Sequence, residues 1–583
     1  MQIHETHETH ETHSREQQRR VLWATSLSYV VVILDTSIVN VALERIGASL
    51  AGGVAGLQWV VNAYTLTFAS LLLSGGTLGD RLGARPVYMA GLAVFTAASA
   101  LCGAAPSLAL LTLGRVLQGM GAALLVPASM ALINGACANA RERAAAFGVW
   151  AGLGGVAMAA GPLLGGVLIG LVGWRSIFLL NVPVCLAGIV MAARVAPQAR
   201  RGAPRRLDLA GQAAAIAALA LLNAAIIEAP AHGWHAPLVA GGLVLAGGAA
   251  IAFVALEKHR AQPMLPLGFF RESVFSAAVL VSMISAFTFY GLLFGLSLYL
   301  QQERGYAPLR AGLAFLPLTV VVPIGSLLSR RAVAWLGPRA LVALACLLAT
   351  AGYLGAAVCG ATARYDLLAL PLPAIGFAAS LITPAATAAL MATVDQGRAG
   401  IAAGVLNAAR QTGAALGVAV AGAMIAGRAS IGAGMRVNLL IAAVLSAGAA
   451  WVWWRAWSRH AAHAAPSHDA KKTSAGKPCA NHIFSIYMLT ARADDWRECY
   501  CLGPVAMVLG NTKENEATRD MTTKQRKPSP TETSPTSVLV VPVRMNLGDL
   551  PYFDGLTPPD TEERWPRKFG QSEKWNARGL SRR

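Results

Sequence analysis

Three charged residues stand in apolar surroundings where charge is costly. Asp35 follows Val30-Val-Val-Ile-Leu34, and burial away from water penalises the ionised form of a carboxyl group. That penalty suits a group that takes up a proton and gives it back. The alternative is a carboxylate kept ionised for structural reasons by a cation or a water-filled cavity. Arg115 is the nearest candidate counter-ion, with Gln118 and Gly119 on its helical face. A tight pair weakens the proton reading unless it forms in one conformation and opens in another. Arg410 and Gln411 lie within a later apolar run and are candidates for gating or cargo contact, as are Asn40 and Gln118. No cluster of nucleophile, base or metal ligands accompanies these groups. The chemistry they suit is movement of charge, with no catalytic residue, metal or cofactor implied.

A second set of residues suits conformational switching. Ala157, Gly161 and Gly165 repeat every four positions and give one helix face a smooth surface for close packing. Pro162 lacks an amide hydrogen and should bend or loosen that helix. Gly166 completes the run. Asp80, Arg81, Gly83 and Arg85 fall in a short polar loop. An acid there can hold a helix N-terminus or an arginine in one state and release it in another.

The elements carrying these residues belong in a bilayer. The chain of 583 residues is 55% hydrophobic and 13% charged, with mean hydropathy +0.52, a composition foreign to soluble domains. Fourteen apolar runs are long enough to cross a core of about 30 Å. They cover 21–43, 57–78, 86–105, 108–134, 145–170, 176–194, 209–227, 237–256, 274–300, 308–329, 339–360, 366–392, 402–426 and 437–457. Basic residues gather in alternate loops. These hold Arg15, Arg19 and Arg20, Arg81 and Arg85, Arg141 and Arg143, Arg194 through Arg206, Lys258 and Arg260, and Arg330, Arg331 and Arg339. The positive-inside rule puts that side, and both termini, in the cytoplasm of a cell inner-membrane protein. These loops and a basic tail account for most of the +19 formal charge and call for no nucleic-acid partner.

The organisation that follows is a disordered cytoplasmic arm (1–20), a six-helix bundle (21–194) and a linker with an inserted helix pair (195–256). A second six-helix bundle (274–457) and a mostly disordered cytoplasmic tail (458–583) complete it. The arm contains the repeat His4-Glu-Thr-His7-Glu-Thr-His10-Glu-Thr-His13, a low-complexity pattern. Cys102, Cys137, Cys185, Cys346 and Cys359 are single packing residues, while Cys499 and Cys501 lack the second pair of a metal site.

The two bundles echo each other. Leu82-Gly-Ala-Arg85 recurs 254 residues later as Leu336-Gly-Pro-Arg339, and the same offset carries Gly161 into Gly413-Ala-Ala-Leu-Gly417. Repeated halves with a site between them describe a transporter that alternates its access.

In motif order the chain resembles the major facilitator superfamily, and within it the fourteen-helix drug:proton antiporters of the EmrB and QacA type. The resemblance rests on Leu34-Asp-Thr-Ser-Ile-Val-Asn40, Gln58-Trp-Val-Val-Asn-Ala-Tyr64, Gly76-Thr-Leu-Gly-Asp80-Arg-Leu-Gly-Ala-Arg85 and Arg115-Val-Leu-Gln-Gly-Met-Gly121. Gly161-Pro162, Trp174-Arg-Ser-Ile-Phe178 through Asn181-Val-Pro183, and Arg410-Gln-Thr-Gly413 continue it. It implies an all-α major facilitator fold of 14 transmembrane helices, two six-helix halves plus an inserted pair. It also implies antiport, associated in this family with the Gly-Pro run, and it strengthens the proton role of Asp35. Glu44 departs from the family's usual proline, and residues 402–426 contain no acid of the kind found in dication exporters.

The expected function is proton-coupled antiport that exports hydrophobic or amphiphilic small molecules, drugs or antibiotics by alternating access. The partners are the substrate, protons and the lipid bilayer, and the resemblance leaves a periplasmic adaptor protein open. A dedicated metabolite exporter of the same fold and a non-transporting membrane sensor are the competing readings.

Overall fold

A backbone in hydrocarbon must satisfy its own hydrogen bonds, so long apolar runs fold as helices. The computed structural model describes residues 2–137, 139–195, 208–260, 263–359, 364–395 and 398–464. The first half contains α1 (Gln2–Leu50), α2 (Val54–Leu82), α3 (Ala84–Ala104), α4 (Leu108–Ala136), α5 (Ala140–Leu171), α6 (Ser176–Leu179) and α7 (Asn181–Val195). The pair α8 (Leu209–His232) and α9 (Pro237–His259) follows. The second half contains α10 (Ser273–Leu298), α11 (Pro308–Ala314), α12 (Leu316–Thr319), α13 (Val321–Cys359), α14 (Tyr365–Ala369), α15 (Leu372–Met391), α16 (Ala399–Ala426) and α17 (Ile431–Ala464).

Twelve helical stretches of the described residues are long and apolar enough to cross a membrane. One of them, Pro308–Cys359, has 52 residues and contains a break at Gly337, where φ is +71°. The helix Ala399–Ala426, with 28 residues, is not among the twelve.

Two expectations are corrected at the chain start. Residues 2–20, expected as a disordered arm, continue α1; Glu16 and Arg20 stand one turn apart and pair, which supports a helix. Glu44 does not disturb the far end either, because α1 runs through it to Leu50. Its carboxylate sits 3.4 Å from Arg45. Residues 458–464 of the expected tail finish α17. Residues 465–583, with Cys499 and Cys501, and the loop arginines 200, 201, 205 and 206 lie outside the described residues.

The faint repeat has a physical basis. Gly83 (φ +95°) and Gly337 (φ +71°) both adopt backbone angles that favour glycine. Arg85 then reaches the end of α7, donating to the Ala193 carbonyl at 2.6 Å. Its counterpart Arg339 reaches the end of α17, donating to Ser458 Oγ at 2.8 Å. Each arginine pins the third crossing of its half to the last.

Apolar packing differs at the two ends of the bundle. At the arginine-poor end, one continuous cluster joins Ile38, Leu43 and Leu57 of the first half to Phe289, Leu292, Phe315 and Leu372 of the second. Toward the arginine-rich end each half keeps its own cluster, around Tyr88 and Phe95 and around Phe275 and Trp453. The inserted pair α8 and α9 is held at that end by polar contacts. Asp208 caps α8 through Gly211 N–H at 2.9 Å and lies 3.3 Å from Arg260. Gln212 bonds to the Ser70 carbonyl of α2. Farther along, Val244, Leu245 and Ile251 are exposed, as suits lipid-facing helices.

Candidate functional site

Glycine lets the helices of the first half approach closely enough to bury a charge pair. A Cβ on Gly119 of α4 would collide with the Tyr64 carbonyl of α2, and one on Gly114 with the Cys102 sulfur of α3. With those helices in contact, the Arg115 guanidinium passes between them and reaches α1. It pairs with Asp35, with side-chain exposures of 1% and 0%. Two neutral donors complete the carboxylate's shell: Gln118 Nε2 at 3.2 Å and Asn181 Nδ2 at 3.0 Å, both to Oδ1.

The pair sits in a connected network. Arg115 donates from Nη1 to Gln118 Oε1 at 2.8 Å and from Nε to the Val60 carbonyl at 3.0 Å. Gln118 also donates to Ser99 Oγ at 2.8 Å. The guanidinium lies 4.4 Å from the Tyr64 ring centroid and 5.8 Å from that of Phe178, close enough for cation–π attraction. Breaking one partner of such a pair leaves an uncompensated charge and typically costs about 3–5 kcal/mol.

The sequence singled out Asp35, Arg115 and Gln118, and the fold brings all three together. Ser99, Asn181 and Tyr64 were missed as site residues. The latter two stood inside quoted motifs, but neutral polar side chains in a helix carry no signal of which neighbour they face.

Arg410 and Gln411 are elsewhere. Arg410, on α16, is half-buried and within electrostatic reach of the Tyr29 hydroxyl of α1 and the Tyr290 hydroxyl of α10. Tyr64 is within electrostatic reach of both tyrosines as well as of Asp35 and Arg115. Tyrosines thus bridge the space between the buried pair and Arg410. Tyr29 also stacks on Trp150 of α5, with centroids 3.6 Å apart. Gln411 is half-buried beside Arg410.

Asn40 faces neither group. It is 2% exposed, its side chain bonds to the Thr36 carbonyl at 3.0 Å, and its backbone carbonyl accepts from Ser297 of α10. That contact belongs to a seal between the halves. Gln58 of α2, also missed as functional, donates to the Val418 and Ala419 carbonyls of α16 at 3.2 and 2.7 Å. Gly422 leaves room for it, since a Cβ there would overlap the Gln58 amide.

The glycine run divides its duties by face. Gly161 and Gly165 pack on Ser37 and Ile38 of α1 within the first half. Gly166 packs on Leu309 of α11, and Gly312 of α11 packs on the Pro162 carbonyl, so the other face joins the two halves. The helix α5 continues through Pro162. In the second half Gly413 and Gly417 meet the Met283 and Phe287 carbonyls of α10, matching the Gly161 and Gly165 face.

Of the loop residues, Gly83 makes the turn and Arg85 the bond to α7 already described. Asp80 and Arg81 are exposed, without an ion pair or hydrogen bond among the described residues.

Comparison with known proteins agrees with this architecture. Residues 25–418 match the family model described as Major Facilitator Superfamily. The methylenomycin A resistance protein of Bacillus subtilis strain 168 is 36% identical over 74% of this chain and 93% of its own length. The multidrug resistance protein Stp of Mycobacterium tuberculosis is 37% identical over 70% of this chain and 76% of its own. A solved bacterial homologue of the human lysosomal transporter Spinster shares the fold, with TM-score 0.54 at 18% identity, over 76% of this chain and 97% of that one. With a family model across most of its helices and relatives that span the bundle, this multi-pass membrane chain belongs to the Major Facilitator Superfamily, as a transporter among its drug-resistance proteins.

Proposed function

We propose that the protein exports hydrophobic or amphiphilic small molecules, antibiotics among them, in exchange for protons across the cell inner membrane. The buried Asp35–Arg115 pair carries the coupling. Here the carboxylate has three donors, from Arg115, Gln118 and Asn181. A shift of α1 against α4 within the first half separates the pair, and Asp35 then takes the proton. The relatives' names support drug export.

The chain crosses the membrane fourteen times on this reading. The stretch Pro308–Cys359 would be about 78 Å long as one helix, enough for two crossings that divide at Gly337, and Ala399–Ala426 adds another. Both termini and the arginine-rich loops then face the cytoplasm. The seal through Asn40, Gln58, Pro162 and Gly166 closes the outer side, with separate apolar clusters toward the inner side. Asp80 and Arg81, unpaired in this state, latch the inner side in the opposite one. Gln411 lines the cargo space beside Arg410. A periplasmic adaptor is not required by any surface described above.

The test is drug-dependent proton release in inverted membrane vesicles bearing the full chain. Methylenomycin A added to acidified vesicles should collapse the pH gradient with the native protein. Asp35→Asn should abolish the response while the protein remains in the membrane. An Asp35→Asn protein that still couples drug and proton would refute the assignment.

A further inference from the structure

The charge balance of the central space points to the kind of molecule it holds. Arg330, Arg331 and Arg339 cluster around the Gly337 break at the arginine-rich end. More than two residues inside the apolar runs given above, the described charges are Asp35, Arg115 and Arg410. The first two cancel each other in full burial. Arg410 is left half-buried with neither an ion pair nor a hydrogen bond among the described residues.

The acids on the neighbouring elements are engaged elsewhere. Asp35, on α1, is committed to Arg115, while Glu16 and Glu44 pair with arginines outside the apolar run 21–43. At α8, Glu228 faces His232 and Asp208 lies beside Arg260. The acid of α2, Asp80, stands in the loop, and that of α5, Glu142, is in the first turn. Neither α10 nor α16 contains an acid. An uncompensated guanidinium at membrane depth is expensive, and a bound anion removes that expense.

The surroundings suit an anion with an apolar body. Tyr29 and Tyr290, from opposite halves, are within electrostatic reach of Arg410, and a tyrosine hydroxyl can donate to a carboxylate. Tyr29 stacked on Trp150, with Phe147 edge-on to that indole at 6.4 Å, offers aromatic surface beside them. A cation entering the same space would meet Arg410 and find no free carboxylate.

We propose that the transported compounds are amphiphiles with a single negative charge, held by Arg410 between Tyr29 and Tyr290. This rests on the export reading above and narrows it to one charge class. Because anchoring groups come from both halves, one anion contacts both sides of the rocking interface at once.

The test places the full chain in an efflux-deficient bacterial host and measures inhibitory concentrations. The monoanions are fusidate and novobiocin, the neutral compound is chloramphenicol, and the cations are ethidium and benzalkonium. Protection should be confined to the monoanions. Arg410→Gln should reduce it about tenfold or more, the worth of a lost charge-assisted hydrogen bond, at equal protein abundance, while Arg410→Lys keeps part of it. In a second readout, 2-naphthylacetate should raise the melting temperature of the purified chain and its methyl ester should not.

Protection against cations or chloramphenicol as strong as against fusidate would overturn the charge class and leave export standing. So would an Arg410→Gln protein as effective as the native one, or equal stabilisation by the ester. Absence of protection against every compound, methylenomycin A included, would defeat the export reading and this proposal with it.

Discussion

The two halves repeat each other in backbone but not in what they enclose. In the first, the space among α1, α3, α4 and α7 is filled by the Asp35–Arg115 pair and its amide and hydroxyl partners. In the second, the matching space among α10, α13, α15 and α17 is a cavity lined by Ser285, Thr288, Tyr353, Ile375, Ile382 and Ser446. The correspondence can be followed by residue. Pro127 of α4 matches Pro384 of α15, which places Gly119 on Gly376 and Gln118 on Ile375. Gly119 packs on the Tyr64 carbonyl, and Gly376 packs in the same way on that of Leu318, 254 positions later. Ser99 matches Tyr353 at the same offset. Close helix packing is therefore common to both halves, whereas among the described residues a fully buried ion pair occurs only in the first. A common scaffold with one specialised interior separates what folds the bundle from what couples it.

Breaking the pair should give the largest effect. Arg115→Gln strands the Asp35 carboxylate, and a loss of about 3–5 kcal/mol is expected, measured as reduced thermal stability in detergent. Adding Asp35→Asn to that variant should recover much of the stability without restoring transport. If Arg115→Gln is as stable as the native chain, the first interior is not organised around charge.

The shared packing gives the next test. Gly161→Ala puts a methyl group on Ser37, and Gly417→Ala puts one on the Phe287 carbonyl. Each should cost about 1–3 kcal/mol through overpacking, with similar shifts in the two halves. A large effect in one half and none in the other would show that the repeat is only nominal. The smallest effect belongs to Tyr353→Phe. It removes a hydroxyl from a residue that lines the second interior, should cost about 1 kcal/mol or less, and should leave drug efflux unchanged.

Much of this arrangement was legible before the fold, for specific reasons. A carboxylate inside an apolar run demands a partner, so Asp35 and Arg115 could be matched from sequence. Gly83 and Gly337 were readable because their offset repeats and only glycine adopts their backbone angles easily. The spacing of Gly161 and Gly165 announced a packing face. It could not say that this face meets α1 while Gly166 meets α11, because the partner depends on helix tilt. Ser99, Asn181 and Gln58 stayed hidden for a related cause: a neutral polar side chain is affordable in many places, and only three-dimensional proximity gives it a role. The arm failed as a composition argument, since the His-Glu-Thr repeat has no helix-breaking residue to stop α1 from extending.

The cancellation of Asp35 by Arg115 also has an electrical consequence. With those charges paired, the conformational change moves little net charge through the membrane field except that of Arg410. A loaded monoanion neutralises Arg410, so the outward stroke is nearly indifferent to voltage. On the proton-coupled cycle proposed above, the empty return also carries a proton on Asp35, so Arg115 and Arg410 are both unbalanced. Two positive charges then move inward, which a negative interior assists by up to about 4.6 kcal/mol per 100 mV. The membrane potential would then act chiefly as the force that resets the unloaded transporter.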